Sequence, residues 1–174
     1  MSFLPRPIGV AWFGACLAVA ALALSAAPQM ALAQDAQTFG DWQLNCDAVP
    51  AGGEQCALVQ RVEDSDRADV WLAAYVFRPN DGSGQTLLSV LVPLQAILVK
   101  GLGLKIDDGD LVTFDFIRCS LEGCLASIDL DAARIAALRG GDQALFIYYF
   151  EESQGVGFPV SLAGFSAGLD ALPQ

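Results

Sequence analysis

Cys119 and Cys124 stand on either side of the turn sequence SLEG, and Cys46 and Cys56 close a second short segment, DAVPAGGEQ. No other feature restricts the fold as much. Gly123 in the first loop and the PAGG run in the second are turn formers that let such short loops close. Four cysteines allow three disulfide connectivities, and proximity favours Cys46–Cys56 with Cys119–Cys124. The other chemistries of paired cysteines fit less well. A four-cysteine zinc site needs gaps of two to four residues in both pairs, and the first gap here is nine. A redox pair normally spaces its thiols by two residues at a helix N-terminus, whereas strand-type residues precede Cys119. Structural bridges are therefore the expectation, and they require an oxidising compartment.

The N-terminus points to such a compartment. Arg6 is the only charge before an apolar run from Ile8 to about Ala27, and Pro28 ends the run. Ala31 and Ala33 then supply small residues at the −3 and −1 positions of a cleavage site. A signal peptide over 1–33 and a single exported domain over 34–174 are expected. The fifth cysteine, Cys16, falls inside the apolar run and leaves with it. Removing 33 of 174 residues leaves 141, enough for one real core, and the loss of Arg6 takes the formal charge from −11 to −12. That field repels nucleic acid and anionic membrane surfaces, so neither is an expected partner. No second segment is expected to cross a membrane. Leu87–Val99 is apolar but short, is interrupted by Pro93 and Gln95, and reads as buried strand.

Strand patterns dominate the rest. Val70–Phe77, Thr86–Val92, Leu111–Cys119, Cys124–Leu130 and Ala144–Phe150 are rich in β-branched and aromatic residues, with shorter candidates at Asp41–Cys46 and Gln55–Val62. Turn clusters such as RPNDGSGQ, DDGD, RGGDQ and EESQGVG separate several of them. The fold class is all-β, a β-sandwich-like single domain with one or two short helices. The first helix has Asp131 as N-cap, Ile135 and Leu138 on one face, Arg139 in its last turn and Gly140 as C-cap. The second is expected over Ser161–Pro173, weakened by Gly164 and Gly168. A plain hairpin that sets Cys119 opposite Cys124 gives neither face a clean apolar character. Either a bulge shifts the register or both faces are partly covered. Trp71, Tyr75 and Phe77 share one strand face and are expected in the core.

Catalytic chemistry finds little support. Gly164–Phe165–Ser166–Ala167–Gly168 matches the G-x-S-x-G elbow, yet the chain has no histidine to serve as its base. Ser166 is expected to be structural. Asp107, Asp108 and Asp110 could in principle supply a carboxylate pair, but the DDGD turn is more simply a solvated loop. Asp64, Asp66 and Asp69 lack the glycine and closing glutamate of an EF-hand loop. No catalytic residue, cofactor or metal site is expected.

The ordered motifs resemble the invasion-associated locus B family of exported bacterial proteins. The resemblance begins at FGDWQLNCD, with Gly40, Asp41 and Trp42, and continues through CALVQ and through LLSVLVPL, which carries Pro93 and Leu94. KID, CSLEGCLASIDLD and FPVSLAGFSAGLDAL, with Ser161, Leu162, Gly164 and Phe165, complete it. One departure falls after Leu94, where Gln95 replaces the usual glycine and VKG replaces a proline–glycine turn. The resemblance implies an all-β protein that is periplasmic, outer-membrane-associated or secreted, with no catalytic residues to carry over. It implies a protein partner in the envelope or on a host-cell surface. Three functions compete: a non-enzymatic binding protein that contributes to host-cell association, a periplasmic assembly factor or chaperone, and a carboxylate-based hydrolase.

Overall fold

The computed structural model describes residues 37–50 and 53–173. The expected signal peptide and Cys16 lie outside the described residues. Among the described residues, eleven strands and two α-helices follow one another: β1 (Gln37–Phe39), β2 (Trp42–Ala48), β3 (Glu54–Glu63), β4 (Trp71–Phe77), β5 (Leu87–Val92), β6 (Leu102–Ile106), β7 (Val112–Phe114), β8 (Phe116–Ser120), β9 (Gly123–Asp129), α1 (Ala132–Gly140), β10 (Gln143–Glu151), β11 (Gln154–Ser161) and α2 (Phe165–Ala171). A seven-stranded sheet runs β1-β2-β3-β4-β5-β9-β8, and a four-stranded sheet runs β11-β10-β6-β7. Every strand pairing among the described residues is antiparallel.

The core lies between the sheets. Leu58, Leu72, Val76, Leu88 and Val90 of the larger sheet face Leu102, Leu104, Phe146, Tyr148, Phe158 and Val160 of the smaller. Alternation along the strands places these residues on one face of each sheet. Tyr148 illustrates the packing. Its ring stacks on Phe158 at 5.2 Å, and its hydroxyl donates to the Trp71 carbonyl across the sandwich at 2.9 Å.

All seven expected strands form, with boundaries close to those expected. Leu111–Cys119, however, is two strands. Val112–Phe114 pairs with β6, and Phe116–Ser120 pairs with β9 in the other sheet. The chain thus changes sheets at Asp115, which puts Phe114 and Phe116 both against the core. A bulge between Phe116 and Arg118 shifts the β8–β9 register and turns Ile117 out to solvent. That shift resolves the mixed faces of the plain hairpin.

Four expectations need correction. The Leu87–Val99 run stops being strand at Val92; Ala96 N–H then donates to Pro93 O, a 3-10 turn covers Leu98–Lys100, and Val99 is 92% exposed. Trp71, Tyr75 and Phe77 are half-exposed on the outer face of β4, while Leu72, Ala74 and Val76 fill the core. The VWLAAYVF run has no polar residue to mark its outward side, so size alone misassigned the faces. Helix α1 begins at the expected cap, with Asp131 Oδ1 accepting from Arg134 N–H at 2.8 Å, but it runs through Gly140 and is capped by Gly141. Within Ser161–Pro173 only Phe165–Ala171 is helical, because Gly164 precedes it at φ 85°, outside the helical region.

Candidate functional site

The residues that carry the family resemblance meet at the join between β1–β2 and β11–α2. Trp42 Nε1 donates to Ser161 O at 2.8 Å, and Gln60 Nε2 donates to the same carbonyl at 3.0 Å. Ser161 N–H returns a bond to Gln60 Oε1 at 2.9 Å. Gln60 is buried, and these two bonds satisfy both ends of its amide. Asp41 N–H donates to Ala163 O, and the Trp42 and Phe165 rings meet edge to face at 5.3 Å. Leu162 is buried beside them. Gly40 and Gly164 make the approach possible: a Cβ on Gly164 would sit 2.1 Å from Phe39 O, and one on Gly40 would sit 2.4 Å from Ala163 O. Both also have positive φ. This constellation is a latch that closes the sandwich. Pro93 is buried at the end of β5, whereas Leu94 beside it is 55% exposed.

The GFSAG serine belongs to the same join. Ser166 Oγ donates to Arg139 O at 3.1 Å, and Arg139 bonds back to Ser166 O and to Asp170 Oδ1. The hydroxyl thereby ties α2 to the C-terminal turn of α1. The hydrogen bond from Arg139 holds the Asp170 carboxyl below its ordinary range.

Both cysteine pairs are bridged locally. The sulfurs of Cys46 and Cys56 lie 2.06 Å apart and those of Cys119 and Cys124 lie 2.07 Å apart. Each pair occupies directly opposed positions on neighbouring strands, β2–β3 and β8–β9.

Of the carboxylate candidates, Asp107 and Asp64 are engaged in holding loops. Asp107, at φ 45°, accepts hydrogen bonds from Asp142 N–H and Gln143 N–H, pinning the β6–β7 turn to the start of β10. Asp131 caps α1 and pairs with Arg134. Asp64 accepts from Asp66 N–H and Arg67 N–H and pairs with the Arg67 guanidinium; the Asp66 bond leads in lowering its pKa. Among the described residues, no three His, Cys, Asp or Glu side chains gather as a metal site.

Two surfaces remain that have no structural task. The outer face of the larger sheet carries Val59, Trp71, Tyr75, Phe77, Leu87, Leu91 and Leu125, all half-exposed, around a Ser89–Ser127 hydroxyl contact. The Arg61 guanidinium lies 4.1 Å over the Trp71 ring at its margin. A sheet with one solvated face normally alternates apolar and polar residues; β2 does so, with Gln43, Asn45 and Asp47 outward, whereas β4 has no polar residue on its outer face. The second surface is a groove of about 620 Å³ between α1 and the β6–β7 hairpin. Sequence reasoning missed it because its walls come from distant segments.

The family model described as invasion associated locus B (IalB) protein matches residues 42–173. An invasion protein B homolog of Brucella abortus strain 2308 is 32% identical over 169 residues, covering 96% of this chain and 95% of that one. Invasion protein B of Bartonella bacilliformis is 28% identical over 109 residues, covering 62% of this chain and 56% of its own length. The crystal structure of invasion associated protein B from Bartonella henselae superposes with a TM-score of 0.64 over 78% of this chain and 93% of that one, at 24% identity. That likeness shows the two-sheet fold. The span matched by the family model covers Trp42, Gln60 and the β11–α2 side of the latch, both disulfides and both helices, and the chain belongs to the invasion-associated locus B family.

Proposed function

We propose that the protein is an exported, non-enzymatic binding protein. It engages a partner protein in the cell envelope or on a host-cell surface through the outer face of the seven-stranded sheet. The observation that carries this reading is the aromatic face of β4, where Trp71, Tyr75 and Phe77 stand half-exposed among aliphatic neighbours. Aromatic residues on an apolar patch with its charges, Arg61 and Glu63, at the margin have the composition of interface centres. Support also comes from the relatives, which are named for invasion rather than for a reaction.

A photo-crosslinking amino acid at Tyr75 tests the reading in live cells. A discrete crosslinked protein should form, and it should be lost when Trp71→Ser and Phe77→Ser are added to a chain that keeps its circular dichroism. Crosslinking no stronger than from a probe at exposed Asp108 would overturn the assignment.

One observation favours a second reading, the periplasmic assembly factor. Of the four sheet edges among the described residues, two are poorly suited to accept a further strand, β8 because it is bulged and bridged and β11 because it contains Pro159, and the other two, β1 and β7, are each three residues long. Of those two short edges, β7 adjoins the groove.

A further inference from the structure

We propose that the groove between α1 and the β6–β7 hairpin docks an extended peptide segment of a partner protein in which apolar and basic side chains alternate. This deepens the assembly-factor reading and rests on it; the outer face of the larger sheet plays no part. The floor is a continuation of the core. Leu104 and Phe114 are buried on the inner face of the smaller sheet, yet Val112 on the same face is 37% exposed. The sheet's apolar face therefore runs on past its cover. Opposite it, α1 presents Ala133, Ala136 and Ala137, whose small side chains leave the space unfilled. The volume of about 620 Å³ lies within the range of about 300–1,000 Å³ typical of ligand sites.

Charge selects the occupant. Asp107, Asp110 and Asp131 line the groove against a single cation, Arg134, whose guanidinium is already held by Asp131. Asp110 has neither a side-chain hydrogen bond nor an ion pair among the described residues. The whole chain adds a formal charge of −11. An acidic rim over an apolar floor complements a lysine or arginine next to a large apolar side chain. The backbone supplies the alternation. Among the described residues β7 is the last strand of its sheet, and one side of Val112–Phe114 has no ladder partner there. An added strand would point successive side chains to opposite faces. Its inward apolar residues would enter the groove over the floor, and a basic residue at the Asp110 end would meet the carboxylates that line it.

The test uses a blocked heptapeptide of alternating leucine and lysine, and the same peptide with glutamate for lysine, titrated into the disulfide-bonded protein and followed by amide NMR. The lysine peptide should shift Val112, Thr113 and Ala133–Ala137 and should bind at least tenfold more tightly than the glutamate peptide. Asp110→Lys, at an exposed turn position, should weaken it at least tenfold, and Ala137→Trp should block the groove. Tyr75→Ser should leave the affinity unchanged, which separates this site from the aromatic face. No binding at millimolar peptide, equal affinity for the two peptides, shifts confined to the outer face around Tyr75, or undiminished affinity in Asp110→Lys would each overturn the proposal.

Discussion

Individual residues divide here into those whose backbone is fixed by a neighbour and those that are free. Gly164 and Gly140 are opposite cases. Gly164 has φ 85° and its absent Cβ would collide with Phe39 O, whereas a Cβ on Gly140 meets nothing within 4 Å. Gly164→Ala should destabilise the protein by about 2–4 kcal/mol, combining left-handed strain with a backbone clash. Gly140→Ala, within α1, should stabilise by about 0.5–1 kcal/mol. Urea midpoints of the two variants check both signs. Tyr148 gives a pH dependence. Burial between the sheets pushes its phenol well above the ordinary value of 10. The folded protein keeps the proton that the unfolded chain releases, so stability is full below about pH 10 and falls as pH rises beyond it. Tyr148→Phe should lose about 1 kcal/mol at neutral pH with the bond to Trp71 O. It should also flatten the alkaline loss measured by urea unfolding at about pH 8 and 11. An unchanged alkaline slope would assign that loss to other groups.

At the level of elements, legibility followed the contrast between neighbouring side chains. β3, β5, β9 and β10 were legible as β-branched and aromatic runs bounded by turns. β11 was not, because Gly155, Gly157 and Pro159 alternate with its inward Val156, Phe158 and Val160 and make it look like a loop. Those glycines have a packing reason: Leu145, Ile147 and Tyr149 lie over them on the outer face. β6 escaped notice although Leu102, Leu104 and Ile106 alternate, because Gly101 and Gly103 dilute the run. The local cysteine pairs could be read from spacing, but the Gln60–Ser161 bonds join residues 101 apart and left no local signal. The two bridges now belong to identifiable hairpins. The chain-entropy estimate assigns about 3 kcal/mol to the β2–β3 bridge and about 2 kcal/mol to the shorter β8–β9 loop. Cys46→Ser should therefore lower the melting temperature more than Cys119→Ser, and reductant more than either. Calorimetry with and without reductant, alongside non-reducing peptide mapping, checks the order. A larger loss from Cys119→Ser would show that native contacts, not loop entropy, set the scale.

For the whole molecule, two opposing features coexist: apolar outer surface and strong negative charge. The outer face of the larger sheet is apolar around Tyr75, and Leu145, Ile147 and Tyr149 are half-exposed on the smaller sheet. Such faces associate unless something keeps them apart. The formal charge of −11 supplies repulsion between copies at neutral pH. The isoelectric point of the sequence is about 4.1, so the repulsion vanishes near that pH while the apolar faces remain. Self-association should rise steeply as pH approaches about 4 and should reverse when pH is raised. Unfolding must be separated from it, because acid also removes stabilising charge. Asp64 and Asp170 are held below their ordinary carboxyl values by the Asp66 amide and by Arg139 respectively. Their contribution is present above about pH 4 and is lost as pH falls through their lowered folded values. Light scattering recorded with near-ultraviolet circular dichroism distinguishes the two events. Association with intact tertiary signal is expected first, and Tyr75→Lys with Leu91→Lys, both on the outer face of the larger sheet, should suppress it. If the double variant associates as readily as the parent at equal net charge, the aromatic face is not the adhesive surface, and the proposal that it binds a partner fails with it.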